Sequence, residues 1–537
     1  MQKGNFMKKL YYGGTILTMD RSNPRAECVL TENGKILGVG KYSDFETVPA
    51  ERKDLRGHTL MPAFVDGHSH AVSVGLNKDQ VCDLMGCSGF EELLERIRRF
   101  RKEKNLTCGE PICCRGYDPA IMKEGRHPDA KVLDSLGFDN PISCVHQSGH
   151  IAVYNSVAMK LAGVDRKNFQ CPEGGFAGRD ENGELNGYFE EKAKSAVSHV
   201  FRTKHSYEDY KNALLCTQKE YARRGFGTVH DGSQTGENTL ALYKRAADDG
   251  FLKMDLVAYV GPSAKLKEFR EECKKTYQNG YVNGLKVGGV KFFLDGSPQA
   301  RTAWLSEPYE GEAEYRGYPM MEDEVLEARL RDVITCGLQP IAHCNGDAAS
   351  EQFLKVLEKL YAEGIPVAPL RPVMIHAQTV RYDQLKRMKK LGMMPSFFVG
   401  HCYYWGDTHL KNLGERGERI SPMKKALEEG LVCSIHQDSP VTEPDMLHSV
   451  WCAVNRVTRS GVTVGEENRI SCYDALIAAT RGGAYTYFEE NTKGILRSGA
   501  QADFVILDRD PTAVDPMEVK DIQVLATVKK DEAIFIL

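Results

Sequence analysis

The sequence predicts a (β/α)8 barrel together with a small β-sandwich built from both chain termini and a subdomain inserted after the first barrel strand. In the centre of the 537-residue chain, short apolar runs alternate with helical stretches, which is typical of a parallel sheet with helices outside it. Both ends carry short β-prone runs with no long helix between them. About 150 residues separate the first two central strands, far more than a connecting loop needs.

The terminal runs predict the β-sandwich, which would comprise residues 7–60 and 490–537. Residues 10–19 and 28–39 are β-prone, and Asn33-Gly34 within the second run is a strong hairpin signal. Residues 502–508 and 524–528 have the same character. Because chain termini often lie close together, we expect both ends in one domain.

Eight apolar runs predict the barrel, within residues 61–489. From the second run onward they follow one another at intervals of about 20–45 residues, the length of a strand plus its crossover helix. Residues 321–336, 350–363 and 383–391 carry apolar residues at three- and four-residue spacing, which predicts helices. The predicted strands are residues 62–65, 227–229, 256–260, 289–294, 339–342, 372–375, 394–399 and 431–435.

The long segment after the first run predicts an inserted subdomain at about residues 72–220. Within it, residues 91–103 read as a helix and residues 144–150 as an extended run. Insertions after barrel strands lie on the carboxyl-terminal face, where the pocket is. We therefore expect this subdomain to shape the substrate cavity.

Composition limits the class of partner. A net charge of −4 gives no basic field, which argues against nucleic acid or an anionic membrane as a general partner. No apolar run approaches a membrane span, and the first residues lack the core of a signal peptide. The 16 cysteines are dispersed without a CxxC pair, which indicates reduced thiols. We expect a cytoplasmic protein that acts on a small molecule, with a homodimer as one possible assembly.

His68-Ser69-His70 closes the first barrel run. Strand residues two apart share a face, and imidazole is the commonest protein ligand for zinc and similar ions. The pair therefore indicates a metal site at the end of a strand. Two histidines that flank a serine in a loop would give the same pattern.

Similar residues end other runs. Histidines end the fifth and sixth runs, an aspartate follows the eighth, and a lysine lies on the fourth. The carboxyl ends of barrel strands meet at one mouth, so these side chains are expected to converge. A single buried histidine needs no metal, but this recurrence favours a metal centre. The residues from which the metal centre is predicted are His68, His70, His343, His376 and Asp438.

The chain resembles the amidohydrolase superfamily, and within it the branch typified by N-substituted formamide deformylase. The resemblance covers nearly the whole chain and is specific for the family, not for a substrate. Ala63 stands where relatives usually have glycine. The resemblance is carried by residues 68–70, 149–156, 225–231, 291–297, 343–347, 376–378, 405–407, 437–440, 455–456 and 499–504.

This resemblance implies a barrel flanked by a β-sandwich, with one or two divalent ions at the barrel mouth. His68 and His70 would hold the more buried ion, and His343 and His376 the second. Asp438 would contact both metal and nucleophile. Zinc is the first expectation, with iron or manganese as alternatives because these ligands suit several first-row metals.

Lys291 matches the position that is carboxylated in two-metal members of the family. Carboxylation turns a cation into an anionic oxygen ligand. The structural alternative is an ion pair with Asp295 or Asp438 inside the barrel, because buried lysine is rare unless paired.

The function implied is hydrolysis of an amide or N-formyl type C–N bond, other than a peptide bond, in a small molecule. A metal lowers the pKa of water towards 7, and Asp438 would take the proton and return it to the departing amine. An ester, lactone or phosphoester could be cleaved in the same site. A non-catalytic metal-binding regulatory protein is a further alternative, which the presence of Asp438 and all four histidines disfavours.

Several polar and aromatic residues are predicted to contact substrate. His401, expected to end strand seven, would polarise the substrate carbonyl or simply bond to backbone. The aromatic stretch 397–405 suggests room for an apolar group, although core packing would explain it equally. The predicted substrate-binding residues are Tyr117, His146, Gln378, His401 and Trp405.

Four further residues are predicted to support this site. His436 shares a strand face with Asp438 and would orient it. His230 and Asp231 end strand two, as supports of the ligands or as helix-entry residues. His150, in the insertion, is also placed near the pocket.

Overall fold

The computed structural model describes residues 8–201, 206–234, 237–262, 266, 268, 270–271 and 280–537. Met7, a predicted domain boundary, lies outside them. Three β-sheets organise the described residues: two of eight strands and one of six. Apolar strands and amphipathic helices pack around one large core in the middle of the molecule.

The central sheet is parallel and its eight strands follow one another in chain order. Each of the eight apolar runs predicted as barrel strands overlaps one of its strands. Its strands read as continuous apolar runs because both faces are covered; every residue of 255–260 and 339–344 is buried. The strands are β1 (Phe64–Val65), β2 (Phe226–Gln234), β3 (Asp255–Val260), β4 (Leu285–Phe293), β5 (Gln339–Cys344), β6 (Val373–His376), β7 (Met394–Phe397) and β8 (Ser434–Ile435).

The sheet curls until its first and last strands are neighbours. A Cβ atom on Gly67, just after β1, would lie 2.9 Å from the carbonyl oxygen of Ile435 in β8. A helical segment covers this seam: Cβ atoms on Gly482 and Gly483 would meet the carbonyl oxygens of Cys433 and Val65 within 2.2 Å. Only glycine permits so close a backbone approach. The structure therefore has a curled parallel sheet of the barrel type.

The second eight-stranded sheet contains strands from both termini. Asn33-Gly34 turns the predicted hairpin between its second and third strands. Residues 62–65, predicted as one barrel strand, divide between two sheets: residues 59–62 pair with residues 504–507, whereas Phe64 and Val65 pair with β2. The predicted β-sandwich and the domain boundaries stay predictions. The strands are Lys9–Leu17, Arg25–Glu32, Lys35–Gly40, Glu51–Asp54, Thr59–Pro62, Phe504–Leu507, Val524–Lys529 and Glu532–Ile536.

The long segment between β1 and β2 contains the third sheet. The extended run predicted at 144–150 is a strand only as far as His146. The sheet has a small core of its own, built around Leu93, Ile97 and Ile142. Its strands are Cys82–Asp83, Ile112–Tyr117, Ile142–His146, Ile151–Tyr154, Gly175–Arg179 and Leu185–Glu191.

Helices surround the sheets, and those predicted at 91–103, 321–336, 350–363 and 383–391 are present with small shifts of their ends. Within the described ranges, no helix combines the length and the apolar character needed to cross a bilayer. The helices are Ala71–Gln80, Phe90–Glu103, Ala130–Asp134, Ser156–Leu161, Ser195–Ser198, Tyr207–Ala222, Glu237–Asp248, Asp323–Thr335, Asp347–Ala362, Tyr382–Lys390, His401–Tyr404, Gly406–Leu413, Met423–Glu428, Met446–Asn455, Cys472–Ile477 and Gly483–Thr486.

A buried ionic network lies at the amino-terminal end of β3. Asp255, the first residue of that strand, pairs with Lys493 at 2.5 Å and with Lys529 at 2.6 Å. Lys529 also pairs with Asp503 at 2.6 Å, and Lys493 with Glu489 at 2.9 Å. The network attaches the C-terminal segment to the base of the central sheet.

Candidate metal centre

Two histidines and one aspartate meet where β1 and β8 end. Nε2 of His68 and Nε2 of His70 each lie 3.5 Å from Oδ1 of Asp438. His68 is fully buried. Nδ1 of His70 donates a 2.7 Å hydrogen bond to the carbonyl of Gly232, which leaves the Nε2 lone pair of His70 available on the side of Asp438.

His343 and His376 extend this cluster from β5 and β6. Their ring centroids are 4.6 Å apart, and that of His376 is 5.8 Å from that of His68. Nδ1 of His343 donates to Oδ1 of Asp295 at 3.0 Å. Nδ1 of His376 lies 3.2 Å from Nε2 of His436. The four histidines and the aspartate predicted from the strand ends are therefore brought together.

Lys291, on β4, is fully buried, and its Nζ lies 3.1 Å from Nε2 of His68. Burial lowers the pKa of Lys291 and raises that of Asp438, while the attraction between the two opposes both shifts. The alternative partner Asp295 is engaged elsewhere. It accepts hydrogen bonds from His343 and from the backbone N–H groups of Asn345 and Gly346.

The imidazoles pack tightly against β2. A Cβ atom on Gly232 would lie 2.6 Å from Cε1 of His68 and 2.9 Å from Cε1 of His230, so this position admits only glycine. His230 bonds to the backbone of Ser69 through Nδ1, and burial lowers its pKa to about 3. Asp231 accepts from the backbone N–H of Val72. Both residues lie within β2 and support the loop that carries the two strand-end histidines.

The donor set fits a divalent cation. Two ligand atoms that each lie about 2.1 Å from a tetrahedral ion are about 3.4 Å apart, which matches the 3.5 Å separations of His68 and His70 from Asp438. Ligand atoms of His68, His376 and Asp438 all lie within 4.8 Å of one another. Oδ1 of Asp438 is buried and has no hydrogen-bond partner among the described residues. A buried carboxylate oxygen without a donor is costly unless a cation compensates it.

Burial keeps these imidazoles neutral. It lowers the pKa of His70 to about 3, and it lowers the pKa values of His68, His343 and His376 well below the ordinary value, with the charge of Lys291 adding to the effect. Neutral imidazole is the form that binds a metal.

Four of the predicted substrate-binding residues lie beside the cluster in one connected group. His401 does not end β7, which stops at Phe397; it begins the helix His401–Tyr404 because Phe398–Gly400 turn the chain. Its Nδ1 lies 3.0 Å from Nε2 of His409. The Trp405 indole donates to Asp118 of the insertion at 3.0 Å.

The other two members come from the insertion. His146 lies 3.7 Å from Asp118, and the Tyr117 hydroxyl lies 3.0 Å from Nδ1 of His127. Gln378 is different: both ends of its amide bond to protein, one to the Phe398 carbonyl and the other to the Ser421 hydroxyl. Its polar atoms therefore connect the loop that follows β6 to the loop that follows β7.

The prediction that His436 orients Asp438 is wrong. His436 bonds to the Ser396 hydroxyl at 2.9 Å and to His376 at 3.2 Å. The backbone turns after Ile435, and Asp438 has a φ of +55°, so strand alternation does not extend to that residue. His436 instead fixes the ring of His376.

Three residues near the cluster were not predicted from the sequence in the positions they take: Glu191, Arg115, and Asp295 as the partner of His343. His150, at a ring distance of 5.2 Å from His343, bonds to the buried carboxylate of Glu191 at 2.8 Å. Nothing in the local sequence distinguishes Glu191. Arg115, by contrast, is a lone charge in the apolar strand Ile112–Tyr117, a signal that could have identified it.

Comparison with known proteins identifies the family. The sequence matches the model of the amidohydrolase family over residues 52–535. The chain belongs to the amidohydrolase family. This amidohydrolase is 26% identical to the putative amidohydrolase YtcJ of Bacillus subtilis, over 98% of this chain and 99% of that protein. It is 25% identical to an N-substituted formamide deformylase of Arthrobacter pascens, over 95% of each chain.

A solved structure is similar to this amidohydrolase along almost its whole length. An uncharacterized metal-dependent hydrolase from Pyrococcus horikoshii is 27% identical, with a TM-score of 0.73, and the match covers 95% of this chain and 99% of that one. The predicted membership is thus confirmed. Family and relatives together support a hydrolytic, metal-dependent enzyme.

Proposed function

We propose that this protein hydrolyses an amide or N-formyl C–N bond of a small molecule, with zinc at the centre formed by His68, His70, His343, His376 and Asp438. The observation that carries the proposal is the unpartnered Oδ1 of Asp438, buried at 3.5 Å from two histidine nitrogens. The formamide deformylase relative supports the choice of a C–N bond. When bound, a divalent ion would lower the pKa of a water molecule and polarise a carbonyl.

The protein's own groups then have separate tasks. Asp438 is the candidate to accept a proton from water and to return it to the amine nitrogen that departs. Gly232 and Asp295 hold the His70 and His343 rings by their Nδ1 atoms, so that both rings keep fixed orientations. These groups lie on strands of the central sheet or in the turns that follow them, and such rigid elements hold side chains in place.

We propose that Lys291 is carboxylated, in which case its carbamate oxygens would serve as metal ligands. Its Nζ lies beside His68, and burial favours the neutral amine, the form that reacts with carbon dioxide. The carboxylate oxygens of the modified side chain could bind a metal ion, whereas the unmodified ammonium group cannot. Intact mass measurement under bicarbonate should then show the added group.

Removal of metal tests the proposed function. Dialysis against a chelator should abolish hydrolysis of a panel of N-formyl and N-acyl amines, and one equivalent of zinc should restore at least half of it. Metal content is measured by elemental analysis at each stage. Full turnover by protein without metal, or no turnover of any amide by the reconstituted protein, would contradict the proposal.

A further inference from the structure

Arg115 carries a guanidinium for which the described residues provide no hydrogen-bond acceptor. It lies in the strand Ile112–Tyr117 of the inserted sheet. Its Nε is buried and has no hydrogen-bond partner, and no described acceptor bonds to its terminal nitrogens.

A buried arginine nitrogen without an acceptor among the described residues is unusual. Guanidinium has five N–H donors in a rigid plane that matches an oxyanion at two points. Buried donors are normally satisfied, since each one left without a partner costs free energy. The buried Nε–H of Arg115, which has no acceptor among the described residues, therefore suggests that a ligand supplies one.

The guanidinium also borders a cavity. This cavity, of about 240 Å³, is lined by Arg115, Met85, Thr442 and Pro440, the last of which is two residues from Asp438. Two other cations on its wall, Lys78 and Arg223, are both paired with Glu220. Among the described residues of the wall, Arg115 is the cation that has no ion pair.

A second cation lies close to Arg115. A Cβ atom on Gly149 would lie 3.4 Å from its Nη2, so the guanidinium rests against the Gly149 backbone. Lys194 donates to the Gly149 carbonyl at 2.5 Å, which adds a second positive charge nearby. A guest oxyanion would be attracted by both.

Resting on the proposed amide hydrolysis, we propose that Arg115 binds an oxyanion, carboxylate or phosphate, that the substrate carries beside its scissile C–N bond. This protein would thus act on acidic amides such as N-formyl or N-acyl amino acids. Neutral N-substituted formamides, the class in the name of the Arthrobacter pascens relative, would be poor substrates.

Matched substrates and variants test this assignment. The zinc-loaded protein is assayed with three N-formyl compounds of similar size: N-formylphenylalanine, the neutral N-formylphenethylamine and N-formylphosphoethanolamine. We expect kcat/KM to be about 100-fold higher for at least one anionic compound than for the neutral one, because a charge-assisted bidentate contact is worth that much. The carboxylate and phosphate compounds distinguish the two sources of the oxyanion.

In the Arg115→Met variant, the higher kcat/KM for the anionic compound should be lost, while turnover of the neutral compound changes less than about 3-fold. Arg115→Lys, which keeps the charge without the planar fork, should retain part of it. Arg223→Met is the control, since it removes a cation from the same cavity wall that already has a carboxylate partner. It should leave the preference unchanged.

A binding measurement separates this inference from the proposed function. Calorimetric titration of the metal-free protein with N-formylphenylalanine should show binding that Arg115→Met abolishes and Arg223→Met preserves. Equal kcat/KM for neutral and anionic compounds, or an equal loss for both in Arg115→Met, would overturn the role of Arg115. If no amide is hydrolysed but binding still depends on Arg115, the proposed reaction is contradicted and the anion site is supported. If no binding depends on Arg115, the anion site is contradicted.

Discussion

Replacing Asp438 with asparagine is expected to reduce kcat by about 1000-fold, within the range measured for loss of a general base. Asparagine keeps the shape of the side chain but cannot accept a proton. Since four histidines stay in place, zinc content should remain close to that of the unaltered protein. Turnover of the best N-formyl compound and elemental analysis of the same sample measure the two quantities.

Asp347→Asn is the matched control for that change. Asp347 is also a buried aspartate in a segment that follows a barrel strand, but both of its oxygens are bonded, to the Ser306 backbone at 2.9 Å and to Arg381 at 3.0 Å. It should retain turnover. A fully active Asp438→Asn protein would remove Asp438 from the proposed mechanism, and a metal-free one would show that its part is chiefly to hold the ion.

Replacing Asp255 with asparagine is expected to lower the free energy of unfolding by about 3 kcal/mol, because removal of one partner leaves buried charges unpaired. Lys493 and Lys529 would then share the base of the barrel with fewer anions. Urea unfolding followed by circular dichroism measures the change. The control is Glu428→Gln, which breaks the solvent-exposed pair with Lys425 and should leave the urea midpoint of unfolding unaltered. An equally small effect of Asp255→Asn would show that the buried network contributes little to stability.

The same carboxylate predicts acid sensitivity. Burial alone would raise the pKa of Asp255, but Lys493 and Lys529 outweigh it and hold the pKa below the ordinary value of 3.8. The folded state therefore binds this proton less readily than the unfolded state, and the stabilisation is present above pH 5 and falls as the pH drops below about 4. Urea unfolding at pH 7 and at pH 3.5 measures the free energy of unfolding at each pH. The decrease between the two should be smaller in Asp255→Asn than in the unaltered protein.

The strand-end residues of the candidate centre could be predicted because the strands of the central sheet are parallel and adjacent in chain order. His68, His343, His376 and Asp438 each follow an apolar run, and parallel strands carry their ends to one mouth. Alternation along a strand failed at His436, where the backbone leaves the sheet before Asp438 and the side chain turns to His376. Local rules do not indicate where a strand stops.

Contacts that cross from the insertion to the barrel could not be predicted. The pairs formed by Glu191 with His150 and by Trp405 with Asp118 depend on how two sheets dock, and no periodicity encodes that. The division of residues 59–65 between two sheets has the same origin. Its partner strand, residues 504–507, lies more than 400 positions away.

The pairing of residues 59–62 with residues 504–507 also sets a time for ion uptake in the cell. Synthesis proceeds from the amino terminus at about 5–20 residues per second, so the partner strand leaves the ribosome roughly 20–90 s after His70. Until then the histidine loop has no anchor on that side. If the proposed centre binds a divalent ion, we expect uptake to follow this pairing, late in synthesis, and not the emergence of His68 and His70.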